Sequence, residues 1–213
     1  MTPEEYFDDW ASVVDMDEAL RIMKWLNTIN LNHVRPFYKH IFRAFKECPY
    51  KNCNVVMLGQ DPYPQPGVAT GILFGNNPDI PEGLISPSLR VVKKAVNATA
   101  EFDNSMEKWA RQGILMINSA LTCEVNRIDS HVDVWRPFVS KLVHNISVDK
   151  PDTIFVMFGA QAQSFNKDVQ DCKIINVKHP AYYARMGFPM PSEPFEEVNK
   201  LLEEMGKPKI VYT

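Results

Sequence analysis

The stretch Asn54-Val-Val-Met-Leu-Gly-Gln-Asp-Pro-Tyr63 joins a short apolar run to a polar turn. The run Asn54–Leu58 favours a strand that is buried on both faces, because a half-exposed strand would alternate apolar and polar side chains. The glycine and the proline that follow are typical of a turn. The stretch therefore predicts a buried strand whose carboxyl end delivers Asp61 to a constrained loop.

Three further apolar runs have the same character, and helical patterns separate them. The runs are Ile114–Ile117, Thr153–Phe158 and Lys173–Val177. Helices are predicted over Ser88–Ala98, Ser105–Arg111, Trp135–Ile146, Ala160–Lys167 and Phe195–Glu204. This alternation predicts an α/β fold, a single three-layer domain with a central four-stranded parallel sheet flanked by helices. We expect the domain to span residues 1–213, with a helical N-terminal part over about 1–50 and a catalytic core over 54–202.

Each predicted strand is followed closely by a polar side chain. Asp61, Asn118, Gln161 and His179 come after the first, second, third and fourth strands. In open parallel sheets, ligands bind in the crevice outside the carboxyl ends of the strands. The sequence therefore predicts one site that these four side chains surround.

The composition excludes several classes of protein. The chain has 213 residues, is 45% hydrophobic and has no apolar run long enough to cross a membrane. Its four cysteines form no CxxC pair and its five histidines add no zinc-ligand spacing, so we expect no metal, no cofactor and a cytoplasmic location. The first residues do not resemble a signal peptide. A net charge of −3 gives no general attraction to nucleic acid, so any DNA contact needs a local surface.

The ordered set of motifs resembles the uracil-DNA glycosylase family. The set is the Gly59–Tyr63 run (GQDPY), Phe74, the strand end at Asn118 and the His179-Pro180 pair, and the likeness extends from about Asn54 to Leu202. The GQDPY run after a strand is a specific signal, whereas a His-Pro pair alone is weak. The resemblance implies a DNA repair hydrolase that flips uracil out of DNA and cleaves its N-glycosidic bond, leaving an abasic site.

Asp61 and His179 are the candidate catalytic residues. A carboxylate can orient a water molecule and stabilise positive charge that builds on a sugar ring, and the resemblance gives Asp61 this role. Uracil leaves as an anion, so one preorganised donor at its carbonyl oxygen can contribute about 2.7–4 kcal/mol. The resemblance implies that His179 is this donor, as a neutral imidazole. Taken alone, Asp61 could equally cap its own turn and His179 be a structural or surface residue.

Four residues are candidates for binding the uracil base. The Asn118 amide offers an acceptor and donors that match N3–H and O4 of uracil and mismatch cytosine. Phe74 would stack on the flipped base, and Tyr63 would exclude the methyl group of thymine. The resemblance implies a main-chain contact from Gln60. Asn118 could instead end its strand in a turn, and either ring could be core packing.

Candidate DNA contacts come from Ser88, Ser130 and His131, through hydroxyl, imidazole and main-chain N–H groups, although simple capping or surface roles would also explain them.

The chain departs from the family pattern at two places. Pro64 replaces a histidine beside the site, which puts water positioning in doubt.

The second departure follows His179. Ala181 replaces the family's phosphate-binding serine. Tyr183 takes the position of the leucine that fills the vacated base stack, and Tyr182 is the alternative for this wedge.

Other functions fit parts of the sequence. A non-catalytic DNA-binding or replication accessory protein on the same fold has no need of Asp61, Asn118 and His179 together. A glycosylase for another modified base would fit the altered segment after His179, but Tyr63 and Asn118 favour unmodified uracil. No glycine-rich nucleotide-binding motif is present. We expect a monomer that acts on uracil-containing single- or double-stranded DNA, and the sequence identifies no protein inhibitor or replication partner.

Overall fold

The computed structural model describes residues 7–212 and has a four-stranded parallel sheet at its centre. The strands of this sheet are β2 (Val55–Gly59), β3 (Ile114–Asn118), β5 (Ile154–Phe158) and β6 (Lys173–Val177), in the order β3-β2-β5-β6. Two further strands, β1 (Val34–Arg35) and β4 (Cys123–Glu124), form a small antiparallel pair. The predicted α/β class and the four predicted strands are confirmed.

Eight α-helices lie in the described part of the chain. They are α1 (Met16–Leu26), α2 (Arg43–Glu47), α3 (Pro87–Ala95), α4 (Glu107–Ala110), α5 (Val132–Asp149), α6 (Gly159–Gln163), α7 (Pro180–Met186) and α8 (Glu193–Glu204). All five predicted helices of the core exist with shifted ends. Helix α7 was not predicted.

The core lies on both faces of the sheet, because alternate side chains of each strand point to opposite sides. Val56 and Leu58 of β2 join a cluster with the N-terminal segments and α5, whereas Val55 and Met57 join a second cluster with α3, α4 and α8. Every residue of β2, β3 and β5 is buried. Strand β6 lies at the edge, and its side chains are partly exposed.

The N-terminal part is less helical than predicted. Helix α1 begins at Met16 and is capped by Asp15, whose side chain accepts a hydrogen bond of 2.8 Å from the Glu18 N–H. From residue 31 to residue 52, however, the chain forms short 3₁₀ turns, the two-residue strand β1 and the single-turn helix α2. Residues 1–6 of the predicted helical part lie outside the described residues. Between residues 7 and 212, no helix is both long and apolar enough to cross a membrane.

The register of the sheet aligns the strand ends that carry the predicted site. Gly59 of β2 lies opposite Asn118 of β3, and Phe158 of β5 lies opposite Val177 of β6. A β-carbon on Gly59 would lie 2.2 Å from Leu73 Cδ1 and 2.8 Å from Asn118 Oδ1, so a larger residue would displace both side chains. The first residue of the GQDPY run therefore leaves room for the Leu73 and Asn118 side chains over the end of β2.

Candidate active site

A small cavity opens at the carboxyl ends of β2 and β3, where parallel sheets usually bind their ligands. Five of the predicted site residues line it: Asp61, Tyr63, Phe74, Asn118 and His179. Gln161 does not line this cavity, so its predicted place there is wrong. Helix α6 begins at Gly159 itself, and Gln161 is therefore part of that helix rather than of the strand end.

The two oxygens of the Asp61 carboxylate differ, because one accepts a hydrogen bond and the other is open, that is, free to accept one. Its Oδ2 accepts a hydrogen bond of 2.6 Å from the main-chain N–H of Asp129, whereas its Oδ1 is buried and has no hydrogen-bond partner among residues 7–212. Burial raises the pKa of Asp61 to about 7, although the hydrogen bond from Asp129 opposes this effect. The open oxygen is a ready acceptor for a water molecule in the cavity.

Asp129 is a site residue that the sequence analysis missed. It adopts a left-handed conformation with φ of +60°. Its carboxylate accepts a hydrogen bond of 2.8 Å from Nε2 of Gln60, the residue before Asp61. The contact joins two loops through a main-chain group, which any residue type could supply, so no sequence motif points to it.

His179 is fixed as a neutral donor. Its Nδ1 accepts a hydrogen bond of 3.2 Å from the main-chain N–H of Ala181, which leaves the proton of the neutral ring on Nε2. Burial lowers the pKa of His179 to about 4, and the charge of Arg185 adds to this effect. A β-carbon at Gly159 would lie 2.9 Å from His179 Cβ, so this glycine makes room for the histidine.

The side-chain oxygen of Asn118 is buried and unpartnered. Only 8% of Asn118 is exposed, and its Oδ1 has no hydrogen-bond partner in the described part of the chain. A buried acceptor without a donor is costly unless a ligand supplies one. The amide is therefore suited to accept a bond from an N–H group of a bound base.

Two aromatic rings form walls of the cavity. Phe74 has φ of +61°, an unusual conformation for a bulky residue. Its ring packs edge-on against Phe158 at 5.1 Å between centroids. Asn76, which is fully buried, donates to the Phe74 carbonyl at 3.1 Å and was not predicted. Burial also raises the pKa of Tyr63, so its phenol stays neutral.

The predicted DNA-contact residues lie in different surroundings. Ser88 is in the first turn of α3 and lines the mouth of the cavity beside Asp61 and His179. The Ser130 hydroxyl already donates to the Arg127 carbonyl at 2.9 Å. His131 is 3% exposed, so its imidazole does not face a surface where phosphate could bind.

The surroundings of His131 explain its burial. Its Nδ1 lies 2.9 Å from the Thr122 hydroxyl, which accepts a bond of 2.7 Å from the Trp135 indole. As placed, His131 is a packed residue that anchors the loop before α5. The structure therefore does not support the predicted phosphate contact through the His131 imidazole.

The two tyrosines after His179 belong to helix α7 and not to a loop. Tyr183 is partly buried beside Pro87 and Val91 of α3. Tyr182 carries the ammonium group of Lys178 over its ring at 4.4 Å and meets the Tyr183 ring edge-on at 5.4 Å. Neither ring lines the cavity itself. The role of either tyrosine as a wedge stays a prediction.

Arg185 is another residue that the sequence analysis missed. It is exposed on α7 and lines the mouth of the cavity together with Pro64 and Ala181, two of the positions that depart from the family pattern. It forms no ion pair with any residue from 7 to 212 that the structure describes. Arg185 lies six residues after His179, and because helix α7 was not predicted, its place beside the cavity could not be predicted either.

These features define the class of protein. An open carboxylate, a neutral imidazole and an unpartnered amide oxygen surround one cavity at the carboxyl end of a parallel sheet. Such a site belongs to an α/β enzyme that binds a planar base bearing N–H and carbonyl groups. The chain belongs to the Uracil DNA glycosylase superfamily, and the sequence model of that family matches residues 45–203. The predicted family is confirmed.

Individual uracil-DNA glycosylases resemble this chain in sequence or in fold. The uracil-DNA glycosylase of Campylobacter jejuni is 34% identical over 215 residues, which cover 94% of this chain and 90% of that protein. The uracil-DNA glycosylase of Coxiella burnetii is 34% identical over 185 residues, which cover 83% and 79%. Mimivirus uracil-DNA glycosylase has a similar fold, with a TM-score of 0.75, 21% identity and coverage of 100% and 93%. A mimivirus variant solved in complex with UGI has a TM-score of 0.79 at 23% identity, covering 100% and 88%.

Proposed function

We propose that this chain excises uracil from DNA with Asp61 and His179 as its catalytic residues. The family is one of monofunctional DNA N-glycosylases, and uracil excision in base excision repair is the activity of this chain. The observation that carries the residue assignment is the buried Oδ1 of Asp61, which has no partner in the described part of the chain, in a residue that lines the same cavity as His179.

The reaction breaks the bond between C1′ of the deoxyribose and N1 of uracil. The bonding electrons leave with the base, and positive charge builds on the sugar ring. Asp61, once ionised, stabilises that charge and orients a water molecule through Oδ1. The water oxygen then bonds to C1′, and a water proton passes to the carboxylate. Asp61 releases this proton to solvent and the uracil anion takes up one, so the products are free uracil and an abasic site.

His179 stabilises the departing base without giving up its proton. Because Nδ1 is occupied by the Ala181 N–H, the Nε2–H group is free to donate to a carbonyl oxygen of uracil. A lowered pKa keeps the ring neutral at physiological pH. A neutral donor stabilises the uracil anion by a hydrogen bond. A charged imidazole would instead need to be stabilised inside a buried site.

Base selection is assigned to the walls of the cavity. Asn118 Oδ1 would accept from N3–H of uracil, and cytosine presents an acceptor at that position, so the two would repel each other. Tyr63 would occupy the space of the thymine methyl group, and Phe74 would stack on the base. Gln60 would contribute its main chain, since its side chain is bound to Asp129.

DNA is held by a small surface around the mouth of the cavity. Ser88 in the first turn of α3 is the candidate phosphate contact on one side. Tyr183 of α7 is the candidate for filling the space that the flipped base leaves, with Tyr182 as the alternative. This contact set would serve uracil in single-stranded and in double-stranded DNA.

The test is excision from a labelled strand that holds one uracil, with a metal chelator present. The expected result is an alkali-labile abasic site at the uracil and no cleavage of strands that hold cytosine or thymine instead. Release of another base but not of uracil would contradict the proposal. A strand that stays intact while the protein binds it would point instead to a non-catalytic DNA-binding protein.

The oligomeric state and the location in the cell are part of the same proposal. We propose a monomer, measurable by light scattering with and without DNA, with a mass near 24.4 kDa for the free chain. A cytoplasmic, reducing location is supported by four free cysteines, three of them buried. Cell fractionation tests this, and recovery from an oxidising compartment would contradict it.

A further inference from the structure

Two hydrogen bonds connect Gln60 and Asp61 to Asp129, which lies in the loop between β4 and α5. The Asp129 N–H donates to Asp61 Oδ2 at 2.6 Å, and Gln60 Nε2 donates to Asp129 Oδ1 at 2.8 Å. The two donors and acceptors form a closed ring of contacts that joins residues 60–61 to residue 129. We name these two contacts, with Gln60, Asp61 and Asp129, the latch.

The main chain of Gln60 gives the latch a rigid base. Its carbonyl oxygen accepts bonds from the Ser119 hydroxyl at 2.9 Å and from the Ala120 N–H at 3.1 Å. The residues after β3 therefore fix residue 60, and its side chain extends from a fixed main chain to Asp129.

The conformation of Asp129 is one that needs support. Its φ of +60° is costly for a residue with a side chain, although Asp and Asn tolerate it better than most. In this conformation its main-chain N–H donates to Asp61 Oδ2. The bond from Gln60 restrains the Asp129 side chain in the same arrangement.

We propose that Gln60 and Asp129 are positioning residues, which hold Asp61 Oδ2 so that Oδ1 faces the reacting water. The inference rests on the proposed function, because it assigns a purpose to the open oxygen. It adds a role for the Gln60 side chain that is separate from any main-chain contact with uracil.

The latch also carries a charge that acts on Asp61. The negative charge of Asp129 raises the pKa of the Asp61 carboxyl, in addition to burial. The other titratable groups around Asp61 are the buried Cys123 thiol, the neutral His179 ring and Arg185 at the mouth of the cavity. Replacing the Asp129 carboxylate with an amide should therefore let Asp61 ionise at a lower pH.

Two variants separate positioning from charge. Gln60→Ala removes the side-chain bond, and we expect kcat on a single-stranded uracil substrate to fall roughly 10-fold, the scale of one hydrogen bond to a charged group, with KM nearly unchanged. Asp129→Asn keeps an oxygen for Gln60 and tolerates the left-handed conformation. We expect it to keep kcat within about threefold at pH 8, where wild-type Asp61 is ionised, and to move the acid limb of the pH–rate profile to lower pH.

Gln161→Ala is the matched control, because this glutamine lies on α6 and does not line the cavity. It should change neither kcat nor the pH profile. Thermal unfolding of all three variants should match the wild type, since residues 60 and 129 are not in the core. Wild-type kcat in Gln60→Ala, or an unmoved acid limb in Asp129→Asn, would overturn the latch.

A parallel Asp61→Asn variant separates the two proposals. If Asp61→Asn loses activity while Gln60→Ala does not, only the latch is wrong. If Asp61→Asn stays fully active, the proposed role of Asp61 is wrong and the latch has no purpose.

Discussion

Asp61 and His179 share one buried cavity, and burial acts on them in opposite directions. Both pKa values shift towards the neutral form, to about 7 for the carboxyl and to about 4 for the imidazole. Above pH 7 the carboxyl ionises while the imidazole stays neutral. A pair whose pKa values are separated in this way can act as base and hydrogen-bond donor at the same pH.

Base choice is tested at two residues that act by separate means. Asn118→Asp should gain slow excision of cytosine, because a protonated or charged carboxyl group can meet its exocyclic amine. Tyr63→Ala should gain excision of thymine, because the space of the methyl group becomes free. Each is measured on strands that differ only in the target base, with Gln161→Ala as the control. If both variants lose uracil excision without any gain, the assignment of the cavity walls is wrong.

The single residues that could be predicted are those with a local signal. Asp61 and Asn118 each follow an apolar run, so their place at the end of a strand could be predicted from spacing alone. Asp129 could not be predicted in this way. Its contribution is a main-chain N–H that meets Asp61 across 68 positions of sequence, and every residue except proline has such a group.

Helix α7 is the element that the sequence analysis missed, although its signals are present. Pro180 is at its first position, and Gly187 follows its end with φ of +70°. The family resemblance drew attention to single residues of this segment and not to its secondary structure. As a helix, it places Arg185 at the mouth of the cavity together with Pro64 and Ala181.

Arg185 should supply a phosphate contact that Pro64 and Ala181 cannot make. We expect Arg185→Gln to weaken DNA binding and to reduce the slope of log K against log salt by about 0.7–0.9, the value for one phosphate. Fluorescence anisotropy over a range of salt concentrations measures this slope. Lys173→Gln is the control, because Lys173 begins β6 at the opposite end of the sheet. An equal change in both variants would argue against a specific contact.

Tyr183 is tested by comparing two substrates. Stacking on an aromatic ring contributes about 1–3 kcal/mol per base, comparable to the cost of extruding one. Tyr183→Ala should therefore lose more activity on uracil in a duplex than on uracil in a single strand, where little stacking is broken. Tyr182→Ala gives the comparison within the same helix. An equal loss on both substrates would mean that Tyr183 supports α7 through its packing on α3.

At the scale of the whole molecule, the α/β class and the parallel sheet could be predicted, because β2, β3 and β5 are built on uninterrupted apolar runs. The small β1–β4 pair could not, since two-residue strands have no periodicity. The segment from residue 31 to residue 52 was predicted as helical but forms mostly 3₁₀ turns, and its two prolines, Pro36 and Pro49, limit regular helix. The cavity depends on the register of the sheet, which only the fold reveals.

The site has a cost for the stability of the molecule. The pKa of Asp61 is higher in the folded state than in the unfolded state, so its contribution to stability is present at low pH and is lost as pH rises through about 7. The free energy of unfolding of Asp61→Asn at pH 8 should therefore exceed that of the wild type by up to about 4 kcal/mol. The difference should shrink as pH falls towards 4. Urea unfolding measures it, with exposed Asp152→Asn as the control, and a difference that grows at low pH would contradict the raised pKa.

The central claim is that Asp61 drives excision through its open oxygen, and one measurement tests it most directly. Single-turnover excision and DNA affinity are measured together for the wild type and Asp61→Asn, on a strand that holds one uracil. We expect the variant to bind the strand nearly as well and to excise uracil at least about 100-fold more slowly. Excision near the wild-type rate, at unchanged affinity, would contradict the account.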